Sequence, residues 1–202
     1  CSIDMPAGPS ELLIIADETA DARFIAADLL SQAEHGADSQ TILLSTSEML
    51  INEVEQELAQ QMSLLPRKKE MEGSLSNSRL VKVANMEDAF TISNKYAPEH
   101  LIINTKDAGM LKNKVINAGS VFIGQWSPES AGDYASGTNH SLPTSGYARA
   151  TGGVAVESFM KGISFQELSR DGLKRISETV VTLAEIEKLD AHAAAVKTRM
   201  SS

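Results

Sequence analysis

The chain has four histidines, and each stands near a potential oxygen ligand or a carboxylate. Gln32 and Glu34 accompany His35, and Glu99 precedes His100. Asp133 comes shortly before Asn139-His140, and Glu187 and Asp190 lie near His192. Gln32 and His35 are three residues apart, so on a helix they share one face about one turn from each other. The run Leu29-Leu30-Ser31-Gln32-Ala33-Glu34-His35-Gly36 reads as a helix end, with Gly36 expected in a left-handed cap. A Gln oxygen and an imidazole aimed one way make half of a metal or polar-ligand site. The plainer alternative is a polar helix terminus facing water. Nitrogen and oxygen donors without thiolate suit a catalytic zinc or a harder divalent ion. Glu99-His100 falls between a helix stopped by Pro98 and a strand starting at Leu101. An acid and an imidazole side by side can serve as a general base pair. Taken alone, Glu99 also reads as a solvated helix end.

The elements that must position these residues alternate. Glu11 to Asp17 and Gln40 to Ser45 are short continuous apolar runs, the pattern of buried parallel strands. Arg79 to Ala84, Leu101 to Asn104 and Ser120 to Gly124 read as further strands. Between them, helices are expected over Thr19–Glu34, around Ile51, Val54, Leu58 and Met62, over Met86–Tyr96 and over Asp107–Asn117. Thr46 or Ser47 can cap the second of these, and Pro66 breaks it. Arg67 to Ser74 is expected as a helical segment with a solvated face. This alternation implies an α/β fold, a mostly parallel, Rossmann-like sheet with flanking helices. Ligands of such sheets are expected beyond the carboxyl ends of the strands. Gln125 to Thr151 has no periodicity and reads as a long functional loop. Gly172 to Met200 is helical again, with Leu173, Ile176, Val180, Leu183 and Ala184 as its apolar stripe. The expected division is an α/β domain over residues 1–152, carrying most of the site, and a mainly helical tail over 153–202.

The chain has 202 residues, 42% of them hydrophobic, enough to bury a core. A net charge of −9 disfavours nucleic acid or an anionic membrane surface as partner. No apolar run approaches the roughly 20 residues of a membrane span. The single cysteine, Cys1, excludes an intrachain disulfide and a multi-thiolate zinc site, and it fits a reducing cytoplasm. No initiator Met and no basic leader begin the chain, so it is expected to be a piece of something longer. There is no G-x-G-x-x-G turn, P-loop, H-E-x-x-H or G-x-S-x-G. Composition and spacing therefore reach a soluble α/β protein with an N/O metal site.

Longer motifs go further. They are Asp4-Met5-Pro6-Ala7-Gly8-Pro9-Ser10-Glu11, Ala26 through Gly36, Tyr96-Ala97-Pro98-Glu99-His100-Leu101, and the loop from Trp126 to His140. Gln166-Glu167-Leu168-Ser169 and Leu189-Asp190-Ala191-His192 complete the set. Together they resemble the histidinol dehydrogenase family over nearly the whole chain, most specifically in the loop. The resemblance implies one zinc ion per subunit, held by Gln32, His35, Asp133 and His192. It implies an acid–base pair of Glu99 and His100. Ser10 and Glu187 would contact substrate, together with Gln32, His35, His100, Asp133 and His192. It implies a two-step, NAD-linked oxidation of L-histidinol to L-histidine in histidine biosynthesis. His100 would take the alcohol proton, and Glu99 would activate water against the aldehyde. It also implies a homodimer whose C-terminal tail reaches the partner's site. Family members extend further on the N-terminal side, where most NAD contacts lie, so this chain is expected to lack the main NAD-binding segment and to have little activity alone. A non-catalytic zinc- and histidinol-binding domain is the alternative. A metal-dependent hydrolase on the same ligands is disfavoured by the dehydrogenase-like loop.

Overall fold

The computed structural model describes residues 7–201. Cys1 and the start of the first motif, Asp4-Met5-Pro6, lie outside the described residues, as does Ser202. The chain divides into two compact units, Cys1–Phe159 and Met160–Ser202.

The first unit is built on a five-stranded, all-parallel sheet. Its strands are β1 (Glu11–Ala16), β2 (Gln40–Ser45), β3 (Arg79–Lys82), β4 (His100–Asn104) and β5 (Ser120–Ile123), in the order β3-β2-β1-β4-β5. Successive side chains of a strand point to opposite faces. Leu12 and Ile14 therefore enter one core, with Leu43, Ile102 and Phe122. Leu13 and Ile15 enter the other, with Leu44, Leu101 and Ile103. Both cores need these residues apolar, which explains the unbroken run in β1. Each fully buried Leu or Ile contributes about 1.5–3 kcal/mol.

The first core is closed by α1 (Ala22–Ala33), α2 (Glu48–Leu64) and α3 (Lys68–Asn77), through Ile25, Leu29, Val54, Leu58 and Met71. The second is closed by α4 (Met86–Tyr96) and α5 (Ala108–Leu111), through Phe90 and Ala108. Side chains cap these helices: Asp21 accepts from Arg23 N–H, Ser47 from Leu50 N–H and Asn85 from Asp88 N–H.

The expected elements differ from the observed ones where side chains bind the backbone. Helix α1 starts at Ala22, not Thr19, because Thr19 N–H and Oγ1 both donate to Asp17 and hold a turn there. Helix α5 ends at Leu111, followed by a 3-10 turn over Lys112–Lys114. Asn94 Oδ1 accepts from Ile116 and Asn117 N–H at 2.8 and 3.2 Å and pins the chain out of a helix. Helix α3 is not wholly solvated: Met71 and Ser74 are buried, and Ser74 Oγ donates to the Ser39 carbonyl. The stretch read as a long functional loop contains α6 (Glu129–Tyr134), entered from an extended Pro128. Gly36 is not left-handed; the helix closes through Glu34 in a right-handed conformation.

The second unit holds α7 (Arg170–Ile186) and α8 (Asp190–Met200). They join at Glu187–Leu189, where Lys188 takes a φ of 62° and ends the expected continuous helix. Ala184 and Ala193 are buried, and Lys197 pairs with Glu185 across the two helices at 2.6 Å. Among the described residues, no helix is long and apolar enough to cross a membrane.

Candidate active site at the amino ends of the strands

Helix α4 ends at Ala97 in a left-handed conformation, φ 59° and ψ 64°, and Pro98 prevents continuation. The chain then turns directly into β4, so Glu99 and His100 stand at the strand's first residues. Register places His100 beside Leu12 of β1 and Ser120 of β5. The peptide units around Glu11 bracket the pair. Glu11 N–H donates to Glu99 Oε2 at 2.9 Å, and the Glu11 carbonyl lies 3.2 Å from His100 Nδ1. A carbonyl can only accept, so Nδ1 carries the proton and a neutral ring presents its lone pair at Nε2. Glu99 Oε2 also lies 3.4 Å from Nδ1. Glu99 is therefore buried between strands, not a solvated helix end.

The other face of the imidazole meets Phe122 of β5, with ring centroids 6.0 Å apart. Nε2 faces Glu129 of α6, whose Oε1 is 4.0 Å away. Burial works against charge on His100, but Glu99, Glu129 and the Glu11 carbonyl outweigh it and raise its pKa. Burial is also the main force raising Glu129, assisted by a hydrogen bond with Asp133 and opposed by His100. Burial alone lifts Asp28, one turn before Gln32, to about 7. Glu11 is raised too, mainly by burial, and its Oε1 accepts from Ser145 N–H at 2.8 Å.

His35, Glu129 and Asp133 form a second cluster, each offering one donor atom within 4.8 Å of the others. Their mix of imidazole and carboxylate suits zinc or another divalent ion. Gln32 adds a separate sign. It is fully buried, and neither its oxygen nor its nitrogen has a partner, an arrangement that costs free energy unless a ligand satisfies it. The residues present therefore fit a divalent ion.

They do not form a glycine-rich dinucleotide turn. The turn after β1, Asp17-Glu18-Thr19, has no glycine, and Asp17 already takes the Thr19 and Lys106 N–H groups, each at 3.0 Å. A cleft of about 540 Å³ does lie at the carboxyl ends, beside Thr19, Asn104, Lys106, Gly124 and Trp126. Glu99 and His100 sit at the opposite, amino ends. The reason is local: the left-handed stop at Ala97 delivers Glu99-His100 into the start of β4.

Comparison with known proteins identifies the family. The family model described as histidinol dehydrogenase matches residues 1–200. The chain belongs to the histidinol dehydrogenase family. It is 54% identical to histidinol dehydrogenase of Bacteroides fragilis over 199 residues, covering 98% of this chain and 46% of that one. It is 55% identical to the chloroplastic histidinol dehydrogenase of Arabidopsis thaliana over 200 residues, 98% of this chain and 43% of that one. A crystal structure of histidinol dehydrogenase from Elizabethkingia anophelis superposes with a TM-score of 0.95 at 50% identity, covering 99% of this chain and 46% of that chain. The chain thus spans about half the length of the relatives it matches.

Of the residues that the family resemblance singled out, the structure brings Glu99 to His100 and His35 to Asp133. Gln32 lies one turn back on α1, buried, whereas His35 is exposed just past the helix end, so the two do not share an exposed helical face. Ser10 immediately precedes the bracketing Glu11, and its carbonyl accepts from Gln40 N–H. Glu187 closes α7 and His192 lies in α8, both exposed and both in the second unit. Sequence reasoning missed Glu129 and Glu11. Glu129 had a signal, since it stands four before Asp133 directly after a proline. Glu11 had none, because its part is played largely by backbone atoms across 88 residues of chain.

Proposed function

We propose that this chain supplies the acid–base and metal-binding half of a zinc-dependent histidinol dehydrogenase, which oxidises L-histidinol to L-histidine in two NAD-linked steps. The observation that carries this reading is the fixed tautomer of His100. Nδ1 is committed to the Glu11 carbonyl, so Nε2 is the base, facing inward beside the His35–Glu129–Asp133 cluster. In the first oxidation Nε2 takes the hydroxyl proton. In the second, Glu99 accepts a proton from the water that adds to the aldehyde. Its burial beside the imidazole keeps competing water few.

The metal would be held by Gln32, His35 and Asp133, with His192 from the partner subunit of a homodimer. When bound there it supplies Lewis-acid chemistry that neutralises carboxylates and orients substrate nitrogen. Ser10 and Glu187 complete the substrate contacts. In this reading the described residues move protons and hold substrate. The second reading is a zinc- and histidinol-binding domain without turnover of its own. A biosynthetic enzyme of this kind would work in the cytoplasm.

The test is NADH formation from L-histidinol with zinc and NAD, by this chain and by the complete gene product. The complete product is expected to turn over and this chain to show little or none. His100→Ala in the complete product should lose about 10²- to 10⁴-fold in kcat. An unchanged rate in that variant would remove His100 as the base, and a complete product that forms no NADH would remove the dehydrogenase reading.

A further inference from the structure

Glu129 is left without a task by the reactions above, yet it is among the most buried charged groups of the site, 1% exposed. Its Oε1 has no hydrogen-bond partner. Its Oε2 lies 3.4 Å from Ser31 Oγ, whose single proton has a better acceptor in the Asp28 carbonyl at 2.9 Å. A buried carboxylate oxygen without a donor is costly and marks a place where a ligand pairs with it. Oε1 faces His100 Nε2 across 4.0 Å, too far for a hydrogen bond between them. With the ring proton on Nδ1, Nε2 is an acceptor as well.

Two acceptors, one of them buried and unpaired, thus face one another. A ligand that satisfies both must carry two donors at a similar spacing. A vicinal amino alcohol does so, because its staggered rotamers put nitrogen and oxygen about 3 Å apart. Each then reaches its own acceptor at about 2.8 Å. We infer that Glu129 recognises the substrate's amino group: Oε1 accepts a hydrogen bond from the nitrogen on the carbon next to the carbinol, while Nε2 takes the hydroxyl. This rests on the reading that the substrate is an amino alcohol oxidised at its carbinol. The neighbouring His35 and Asp133 place the same nitrogen against the proposed metal ligands. An amine N–H polarised by the metal also offsets the cost of burying the carboxylate.

The experiment uses the zinc-loaded complete gene product and two ligands, L-histidinol and its deamino analogue, 3-(imidazol-4-yl)propan-1-ol. Calorimetric Kd, KM and zinc content are measured for wild type, Glu129→Gln and Glu129→Asp. Wild type should prefer histidinol. Glu129→Gln should weaken histidinol about 10- to 100-fold while changing the analogue by less than about 3-fold, with zinc retained. Glu129→Asp should recover part of the loss, because it restores the charged acceptor. Equal losses for both ligands would show a structural role and overturn the inference. Loss of zinc in Glu129→Gln would make Glu129 a metal ligand and overturn it too. A wild type that binds neither ligand would remove the underlying amino-alcohol reading, and the inference with it.

Discussion

Asp28 sits on α1 with its carboxyl buried and without a compensating cation, and burial pushes its pKa to about 7. In an unfolded chain the same group titrates near 4. The fold therefore favours the neutral acid. The stability tied to this group is full below about pH 4 and is lost as pH rises through about 7. Asn is a neutral stand-in that does not titrate. In the metal-free protein, Asp28→Asn should match wild type in Tm near pH 4 and exceed it near pH 8, the gap widening in between. Thermal melts at the two pH values measure this. A constant gap would show that Asp28 is not the titrating group. His100 runs in the same direction: its raised pKa makes its contribution present below about 6.5 and lost as pH climbs through the folded value. The two are separable because only the Asp28 term disappears in Asp28→Asn.

Helix α6 is the element on which the site turns, since it supplies both Glu129 and Asp133. It packs close to β5 because residue 132 has no side chain. A Cβ there would lie 2.6 Å from Phe122 Cε1 and 2.8 Å from Thr138 Oγ1. Phe122 in turn supports the His100 ring. Gly132→Ala should therefore cost about 1–3 kcal/mol despite the better helix propensity of alanine, and should weaken zinc binding. Gly109→Ala is the control, because nothing lies within 4 Å of its Cβ and its backbone is helical. It should be neutral or stabilising by several tenths of a kcal/mol. Urea unfolding and zinc titration of both variants check the pair. The same helix marks the limit of what sequence made legible. Strand β1 was readable because Leu12–Ile15 must be apolar on both faces. Helix α6 was not, because six residues leave no period to detect. The candidate pair Glu99-His100 could be named from sequence. Its place at the amino ends depended on β1–β4 pairing and a left-handed Ala97, neither of which has a local pattern. Gln32 and His35 were expected as equals on one face, but packing of α1 buries the first and the chain's departure from the helix exposes the second.

At the scale of the whole molecule, the region after residue 155 exposes several large apolar side chains. Phe159, Ile163 and Phe165 are 83%, 62% and 92% exposed, and Leu183 and Ile186 on α7 are 55% and 71%. Scattered apolar residues are ordinary, but a run of this density wants a cover. The homodimer proposed above supplies one and gives His192 a site to complete in the other subunit. A two-fold assembly has a consequence that a self-contained chain lacks. His35→Ala and His192→Ala should each bind zinc poorly when made singly, because each removes a proposed ligand from every site. Coexpressed in equal amounts, they form mixed dimers in which one site receives both substitutions and the other receives neither. Random pairing then restores zinc to about a quarter of all sites, with a matching share of histidinol binding. Sites completed within one subunit would gain nothing from mixing, since each would still lack its own histidine. Metal analysis of the coexpressed and the separately made proteins decides between the two forms. Sedimentation of wild type as a strict monomer would exclude the exchange outright.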